Sequence, residues 1–447
     1  MAIKVGLVSL GCEKNLVDSE RMLHKLRAHG YELVTEFGES DVAVVNTCGF
    51  IQSAKEEAIE TILEIAKLKE EGRVKKLILT GCLTERYKEE AAAEFPEADA
   101  VIGIGDNKDI VDILDKVLHG ERIVRFSPKM DVELSGERIL STLPFFSYLK
   151  ISEGCSNCCT YCAIPMIRGK YRSTPMEQLL DEANWMAENG VTELNIIAQD
   201  TTRYGEDLYG ENKLCELLHK LCQIEKLRWI RVLYCYPERI TDELIETIAN
   251  EPKIVKYLDM PIQHCNDDIL KRMNRPSTKA KLYEVIRKLR TAMPDIVLRT
   301  TLITGFPGET EEQFEELCKF TQDIMFTRLG CFAYSQEDGT KAGAFPDQLD
   351  DEVKQHRADV IMEQQMHISY DYNMRQLDTV KTAVVEGFDK WAECYFGRTA
   401  ADAPDIDGKV FFSSERKLAV GEYVTIRIND MLDYDLLGEV IEDESAE

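Results

Sequence analysis

The stretch FSYLKISEGCSNCCTYCAIP, residues 146–165, joins a strand-like apolar run to four cysteines within eight positions. These cysteines can be parsed in two ways. Two abutting C-x-x-C pairs, Cys155/Cys158 and Cys159/Cys162, suggest a four-thiolate zinc knot. The spacing C-x-x-x-C-x-x-C uses Cys155, Cys159 and Cys162, and it leaves Cys158 without a ligand role.

The directions of neighbouring side chains favour the three-cysteine parse. Structural zinc sites usually take two ligand pairs from separated segments, often about a dozen residues apart. Adjacent Cys158 and Cys159 on a loop diverge and cannot easily aim at one ion. Three thiolates can instead hold three corners of a [4Fe–4S] cluster and leave its fourth iron open to another ligand. Tyr161, directly before Cys162, strengthens this interpretation.

Three further cysteines each follow a strand-like run. Cys12 comes after KVGLVSLG, Cys48 after VAVVNT and Cys82 after LILTG. The carboxyl ends of parallel strands meet at one edge of an open α/β sheet, where ligands bind. A lone cysteine beside glycine is more simply a small buried hydrophobe. Three cysteines at equivalent places favour a metal or cluster site.

The hydrophobic periodicity divides the chain into several regions. Residues 1–120 alternate strand-like and helix-like runs, which predicts an open parallel α/β sheet. Residues 121–144 contain Pro and Gly with little periodicity, and we predict a linker there. Residues 145–375 contain six strand candidates with intervening helices, ending in a long helical stretch from about 350. This pattern predicts a partial or complete (β/α) barrel with its site at the carboxyl ends of the strands.

The end of the chain has a different pattern. Residues 376–441 contain short alternating runs broken by Gly, Pro and Asp, which predicts a small antiparallel β-barrel. Residues 442–447, EDESAE, are expected to form a frayed acidic tail.

Bulk composition restricts the cellular setting. No stretch approaches the roughly 18 uninterrupted apolar residues that a membrane span needs. The opening MAIKVGLVSLGC resembles a secretion leader faintly, but its alternation favours a first strand. Fourteen cysteines in 447 residues are typical of a reducing compartment, where metal binding or catalysis is expected rather than disulfides. We therefore expect a cytoplasmic protein.

The motif C-x-x-x-C-x-aromatic-C after the first barrel strand resembles the radical S-adenosylmethionine superfamily. The three-cysteine N-terminal region and the terminal barrel narrow the resemblance to the methylthiotransferases. Their layout is an N-terminal methylthiotransferase domain, a radical barrel and a TRAM barrel. The resemblance implies that S-adenosylmethionine chelates the open iron of the cluster. An electron from the reduced cluster then cleaves the sulfonium to methionine and a 5′-deoxyadenosyl radical, so an electron donor is an expected partner.

The same resemblance assigns the second set of cysteines. In that family the positions of Cys12, Cys48 and Cys82 bind an auxiliary [4Fe–4S] cluster whose open iron carries the sulfur to be inserted. One S-adenosylmethionine methylates that sulfur and another generates the radical, so the product carries an added –SCH₃. Two [4Fe–4S] clusters are therefore expected.

Several stretches resemble the branch that modifies the β-carbon of an aspartate in ribosomal protein S twelve. SLGCEKNLVDSE is close to its opening motif, although Glu13 stands where that branch often has proline. His264, Arg299 and Glu337 lie in segments that differ from the tRNA branch, and they are candidate substrate contacts. The alternative substrate is an adenosine in tRNA.

Charge bears on the same choice. The chain contains 54 Lys/Arg and 81 Asp/Glu, and residues 381–447 contain 7 and 16. This excess of negative charge weakens contacts with phosphate groups, so direct RNA binding by the C-terminal barrel is not expected. A local basic groove is still compatible with the composition. A lysine- and arginine-rich ribosomal protein fits this negative charge, chiefly through steering. The acidity could also serve solubility alone.

The motif TGFPGET follows the fifth barrel strand and contains Gly305, Pro307, Gly308 and Glu309. The resemblance implies that this motif contacts S-adenosylmethionine. It implies the same contact for Tyr161, Gln199 and Asp200. The alternative for TGFPGET is a strand-to-helix turn with Glu309 in the first helical turn. His264 has a structural alternative too.

The other cysteines receive no ligand role, and Cys215 and Cys222 share one helical face that predicts a core position. A rival of another class is a non-catalytic protein, in which the cysteines hold structural metal and the small barrel binds nucleic acid or the ribosome.

Overall fold

The computed structural model describes residues 2–441. The tail predicted for residues 442–447 lies outside this range. Within it, the strands form two open six-stranded sheets, a closed five-stranded barrel and a short hairpin. The predicted fold class is thereby confirmed. None of the helices in this range is long and apolar enough to cross a membrane.

The N-terminal sheet is parallel throughout. Its spatial order is Glu32–Val34, Lys4–Ser9, Val42–Thr47, Lys76–Gly81, Ala100–Ile102 and Ile123–Arg125. Its helices are Glu13–Ala28, Gln52–Glu70, Cys82–Tyr87, Glu89–Glu94 and Ile110–Leu118. The three strands that precede Cys12, Cys48 and Cys82 are immediate neighbours, so the predicted convergence at one edge has the required topology.

Part of the predicted linker, residues 121–144, belongs to the N-terminal sheet. Ile123–Arg125 is an edge strand of the N-terminal sheet, three residues long and too short to give a periodic pattern. Further on, the Arg138 side chain is buried and forms ion pairs with Glu20 at 3.4 Å and Glu182 at 3.0 Å. The segment is thus fixed between the first helix of the chain and the central region.

The central sheet is also parallel throughout. Its order is Phe146–Lys150, Glu193–Ile197, Trp229–Val232, Ile254–Asp259, Val297–Thr304 and Arg328–Ala333. Each strand corresponds to one of the predicted runs, and the sheet is a partial barrel since its first and last strands are not paired with each other.

The central region also contains helices, most of which connect consecutive strands of the sheet. The longest, Asp351–Met374, is the predicted closing helix. The others are Ile164–Arg168, Met176–Glu188, Glu206–Tyr209, Leu214–Cys222, Asp242–Asn250, Asp267–Arg272, Lys279–Ala292 and Glu311–Ile324. The hairpin pairs Ser152–Glu153 with Arg172–Ser173.

The C-terminal barrel is closed and mainly antiparallel. Its strands are Val380–Asp389, Cys394–Thr399, Val410–Ser413, Tyr423–Leu432 and Asp435–Val440. The pairing of Val410–Ser413 with Asp435–Val440 is parallel, and this contact closes the barrel.

The interior of the central barrel is shared by all three regions. Tyr148 and Tyr257 from the central strands contact Val17 from the first helix of the chain and Val384 from the C-terminal barrel. The N-terminal sheet and the C-terminal barrel are therefore packed onto the central barrel through a common apolar core. This packing fixes the positions of the two cysteine groups relative to each other.

Candidate functional site: two cysteine triads at a shared interface

Cys12, Cys48 and Cys82, here called the dispersed triad, follow three adjacent parallel strands. Thr47 and Gly81 are register partners, so Cys48 and Cys82 leave the sheet side by side. Cys48 and Cys82 are buried and Cys12 is partly exposed. The structure therefore brings together three cysteines that lie 36 and 34 residues apart in the sequence.

Two glycines permit this close approach. A Cβ at Gly11 would lie 2.7 Å from the Sγ of Cys48, and one at Gly49 would lie 2.6 Å from the Cα of Leu83. Both distances are closer than real Cβ contacts, so any side chain would push the loops apart. The residues beside Cys12 and Cys48 are small because the three loops touch there.

The thiols of the dispersed triad influence one another electrostatically. Burial raises the pKa of Cys82 to about 12; Arg168 opposes this shift, and Cys12 and Cys48 add to it. Burial also raises the pKa of Cys48, with a further contribution from Cys12. Thiolates at this site would need a positive counter-charge, which both the Arg168 guanidinium and a metal group can provide.

Cys155, Cys159 and Cys162, here called the local triad, lie on one loop held by backbone hydrogen bonds. The Cys155 N–H donates to the Gly169 carbonyl at 3.1 Å, and the Cys162 N–H donates to the Cys159 carbonyl at 3.1 Å. Burial raises the pKa of Cys155 to about 11 and also raises that of Cys162, to which Cys159 and Cys155 contribute.

Cys158 differs from its neighbours in the motif by lying at the surface. It is exposed and has a φ of 52°, in the left-handed region that most residues avoid. Its carbonyl accepts a hydrogen bond from the Asn274 side chain at 3.0 Å. This conformation separates Cys158 from Cys159 and agrees with the three-cysteine parse.

The residues present fit a multi-iron group better than a single ion. Within residues 2–441, no three His, Cys, Asp or Glu side chains are close enough together to bind one metal ion. A zinc ion would require thiolates at about 2.3 Å from one centre. A cluster holds its thiolates on separate irons, so wider convergence is compatible with it.

The two triads lie against each other across the junction of the N-terminal and central regions. Cys82 is in apolar contact with Ala163 and Ile167. Ala163 directly follows Cys162, and Ile167 is on the short helix that continues from it. Groups held by the two triads would therefore face one shared space.

A buried charge cluster, comprising Asp18, Lys150, Glu153 and Arg168, fixes this junction. Lys150 pairs with Asp18 and with Glu153, the latter at 2.8 Å. Arg168 pairs with Asp18 and Glu153, both at 3.0 Å. Its second terminal nitrogen donates to Asn15 Oδ1 at 2.5 Å. Asn15 Oδ1 also lies 3.5 Å from Cys82 Sγ, so the cluster reaches the dispersed triad.

The residues after Cys12 make a second contact with the central barrel. Glu13 accepts a hydrogen bond from the Tyr234 hydroxyl at 2.8 Å. The Lys14 ammonium lies 2.9 Å from the centroid of the Tyr234 ring. Glu13, which departs from the proline of the resembled branch, therefore has a specific partner in this chain.

Asp200 and Tyr161 lie near the local triad. Asp200 is buried and accepts a hydrogen bond from the Asn157 side chain at 2.8 Å, which tethers the cysteine loop to the second strand. Tyr161 is partly buried against Met273 and Phe306. Gln199 is partly buried.

The TGFPGET loop is held by its own glutamate. Glu309 accepts from the Gly305 N–H at 3.0 Å and from Arg357 at 2.7 Å. Side chains of this chain, Lys354 and Asp347, fill the space beside Gly305 and Gly308. Pro307 is buried. These contacts agree with a turn, but Glu309 precedes the N-cap residue Thr310 and so lies outside the first helical turn, contrary to that alternative. Contact with S-adenosylmethionine stays a prediction.

The three candidate substrate contacts have partners inside the protein. His264 is fully buried, with its Nε2 3.5 Å from Glu309 Oε2. Arg299 pairs with Asp259 at 3.0 Å. These partners agree with the structural alternative for His264, while substrate contact by His264 and by the partly exposed Arg299 stays a prediction.

Glu337 is likewise buried. It pairs with Lys55 at 3.0 Å and Arg86 at 2.8 Å, both from the N-terminal region. Although burial alone raises its pKa, hydrogen bonds from Ser335, Lys55 and Arg86 lower the pKa of Glu337 overall. Glu337 therefore joins two regions of the chain, and its contact with substrate stays a prediction.

Sequence reasoning missed the buried charge cluster. One signal was available: Lys150 interrupts the apolar run FSYLKIS, and a lysine inside a buried strand needs a partner. The identity of that partner, Asp18, depends on how two regions pack. A cavity of about 400 Å³ beside the local triad, lined in part by Asn157, Arg203 and Tyr236, was also unpredicted.

Matches to known families cover most of the chain. Residues 4–103 match "Uncharacterized protein family UPF0004". Residues 149–321 match the radical SAM superfamily, and residues 379–441 match the TRAM domain. The resemblance based on the cysteine motif and the terminal barrel is confirmed.

Curated relatives match over nearly the full length. The chain is 48% identical over 441 residues to "Ribosomal protein uS12 methylthiotransferase RimO" of Geobacter sulfurreducens, covering 98% of each. It is 49% identical to the protein of the same name from Caldanaerobacter subterraneus, covering 97% of this chain and 99% of that protein.

Solved structures share the fold at low identity. The radical S-adenosylmethionine methyltransferase TsrM from Kitasatospora setae, with cobalamin and a [4Fe–4S] cluster bound, aligns with a TM-score of 0.57 and 14% identity. The alignment covers 77% of each chain.

Proposed function

The chain belongs to the family of ribosomal protein uS12 methylthiotransferases, and on that premise we propose that it adds a methylthio group to the β-carbon of an aspartate in uS12. Ribosomal protein uS12 is the S twelve protein of the small subunit. The observation that carries the proposal is the contact of Cys82 with Ala163 and Ile167, because it brings the two triads to one interface.

We assign one [4Fe–4S] cluster to the local triad and a second to the dispersed triad. When bound, these clusters supply the reducing electron and the sulfur atom of the transferred group. Arg168 lies near Cys12 and Cys82, where its positive charge stabilises thiolate ligands. Asn15 and the buried charge cluster hold Arg168 in that position.

The local triad presents its loop to a cavity that we assign to S-adenosylmethionine. The cavity of about 400 Å³ is lined by Ser156 and Asn157 of that loop and by Tyr236. Tyr236 lies within 3.4 Å of Cys159 Sγ through its hydroxyl. Asp200 fixes Asn157 and so controls the shape of the cavity wall. We propose that an electron donor of unidentified class is also required.

The direct test combines the anaerobically reconstituted enzyme with uS12, S-adenosylmethionine and reductant. Mass spectrometry should find one sulfur and one methylene added at a single aspartate, together with 5′-deoxyadenosine. Iron analysis should give about eight irons per chain, from two four-iron clusters.

Two results would contradict the proposal. Modification of tRNA nucleosides with uS12 left unchanged would indicate the tRNA substrate. Stoichiometric zinc without formation of 5′-deoxyadenosine would indicate a non-catalytic module. The full-length relatives support neither alternative.

A further inference from the structure

A groove of about 480 Å³ lies on the N-terminal region beside the triad interface. It runs between helix Gln52–Glu70 and the two short helices Cys82–Tyr87 and Glu89–Glu94. One wall is closed by Asp338, from the loop after the last strand of the central sheet. The groove thus begins where the N-terminal and central regions meet.

The floor of the groove is apolar. Ile59 and Leu63 are 37% and 52% exposed and lie on adjacent turns of one helix, so they form one continuous apolar strip. Leu83, Tyr87, Ala91 and Phe95 line the facing side. Apolar surface of this kind, enclosed by a polar rim, is typical of an interaction site.

The rim of the groove is acidic. Glu90, Glu94 and Asp338 are exposed, and none of them forms an ion pair with another residue of the described range 2–441. The lysine in the groove, Lys55, is already paired with Glu337 and donates to the Tyr87 hydroxyl at 3.3 Å. The groove therefore combines an apolar floor with a rim that carries three exposed carboxylates.

We infer that this groove docks a segment of the protein substrate in which an apolar side chain is flanked by lysine or arginine. The inference rests on the proposed function, because a protein that is assembled with ribosomal RNA must carry Lys and Arg to neutralise phosphates. Such a segment complements the rim, and its apolar side chain would be buried against Ile59 and Leu63.

The position of the groove explains why docking there would assist the reaction. Leu83 and Tyr87 are on the helix that starts with Cys82 of the dispersed triad. Asp338 adjoins Glu337, which ties that helix to the central barrel through Arg86. A substrate held in the groove would enter the triad interface from one defined side.

The test reverses the rim charge and compares it with an equal change elsewhere. Glu90→Lys/Glu94→Lys is the test variant. Glu57→Lys/Glu64→Lys is the control. Both residues are exposed on helix Gln52–Glu70, which forms one side of the groove, but neither lines the groove. We expect the test variant of the reconstituted enzyme to raise KM for purified uS12 at least about tenfold, with kcat little changed, while the control stays within about twofold.

A second measurement separates this inference from the proposed function. Formation of 5′-deoxyadenosine without uS12 should be equal in the wild type and both variants, since the groove does not hold the triads. If the wild type formed no 5′-deoxyadenosine, the proposed function would be contradicted. If the test and control variants had equal KM values for uS12 and formed normal amounts of 5′-deoxyadenosine, the docking inference would be overturned and the proposed function would stand.

A photo-crosslinking amino acid at Leu63 identifies the occupant. We expect crosslinks to uS12, and few when the same amino acid replaces Glu57. Crosslinks between two copies of this chain, with none to uS12, would overturn the inference and make the groove a dimer contact.

Discussion

The two triads are built in opposite ways. The local triad is contained in eight consecutive residues, and its loop is fixed by bonds such as that from Cys155 to Gly169. The dispersed triad takes its three cysteines from loops after three strands, and their approach depends on Gly11 and Gly49. The first arrangement is set mainly by local sequence, and the second by the order of strands and the packing of two regions.

This difference predicts different sensitivities. A change in the packing between the N-terminal and central regions should disturb the dispersed triad and spare the local one. Substitution of a cysteine should remove only the group that this cysteine holds. The experiments below test that separation, from the largest expected effect to the smallest.

Cys159→Ala and Cys82→Ala should each abolish methylthio transfer, but for different reasons. Both should retain about four irons per chain instead of about eight. Cys159→Ala should also abolish 5′-deoxyadenosine formation, whereas Cys82→Ala should keep it. Iron and sulfide analysis and chromatography of the nucleoside products measure both properties.

One result would contradict the separate roles of the two triads. If Cys82→Ala abolished 5′-deoxyadenosine formation while retaining a cluster with normal spectra, the two triads would not be separable. Cys222→Ala, in a buried helix face away from both triads, should leave both clusters in place.

Arg168→Met should destabilise the fold and lower occupancy of the dispersed triad. The substitution leaves the carboxylates of Asp18 and Glu153 buried with Lys150 as their remaining cation. Breaking a buried ion pair in this way typically costs about 3–5 kcal/mol. Denaturant unfolding and iron analysis should show lower stability and selective loss of one cluster.

Arg73→Met is the matched control, because Arg73 is exposed and pairs with Glu71 at 3.9 Å. A surface pair of this kind contributes at most about 1 kcal/mol. Full occupancy of both triads and unchanged stability in Arg168→Met would show that the buried charge cluster does not support the dispersed triad.

The sequence predicted the fold class. It also predicted the strand that precedes each cysteine of the dispersed triad and the strand that precedes the local triad. The reason is physical: buried parallel strands leave apolar runs of characteristic length, and cysteines after such runs fall at the same edge of a sheet. The short edge strand Ile123–Arg125 was missed because three residues cannot establish a period.

The contacts between regions could not be predicted in the same way. Lys150 and Asp18 are 132 positions apart, and Glu337 and Lys55 are 282 apart. Their pairing depends on how two independently patterned regions are packed together. For that reason the internal partners of Glu337, His264 and Arg299 could not be predicted from the sequence.

Glu193→Gln tests a buried charge group remote from both triads. Glu193 pairs with Arg398 of the C-terminal barrel at 2.8 Å and with Arg231 at 3.3 Å. Burial raises the pKa of Glu193, but the two arginines lower it overall, below its ordinary value of 4.5. The ionised carboxylate therefore stabilises the fold above that pH, and the stabilisation is lost as pH falls through the lowered pKa.

We expect Glu193→Gln to reduce the free energy of unfolding by about 1.5–3 kcal/mol near neutral pH, since hydrogen bonds to a charged group are lost. The difference from the wild type should narrow as pH falls below the ordinary carboxyl value, and both clusters should be retained at neutral pH. Urea unfolding at several pH values measures this. Glu225→Gln, at an exposed position, should change little; an equal loss there would contradict the assignment.

Cys158→Ala should have the smallest effect, although it changes one of the four cysteines in the motif. Cys158 is exposed whereas Cys155 and Cys159 are buried, so alanine is expected to remove no ligand. Iron and sulfide content and 5′-deoxyadenosine formation should match the wild type. The backbone at this position is held through the Cys158 carbonyl by Asn274, a bond that alanine preserves. Loss of a cluster in this variant would favour the four-thiolate parse and would remove the contrast between a local triad and a dispersed one.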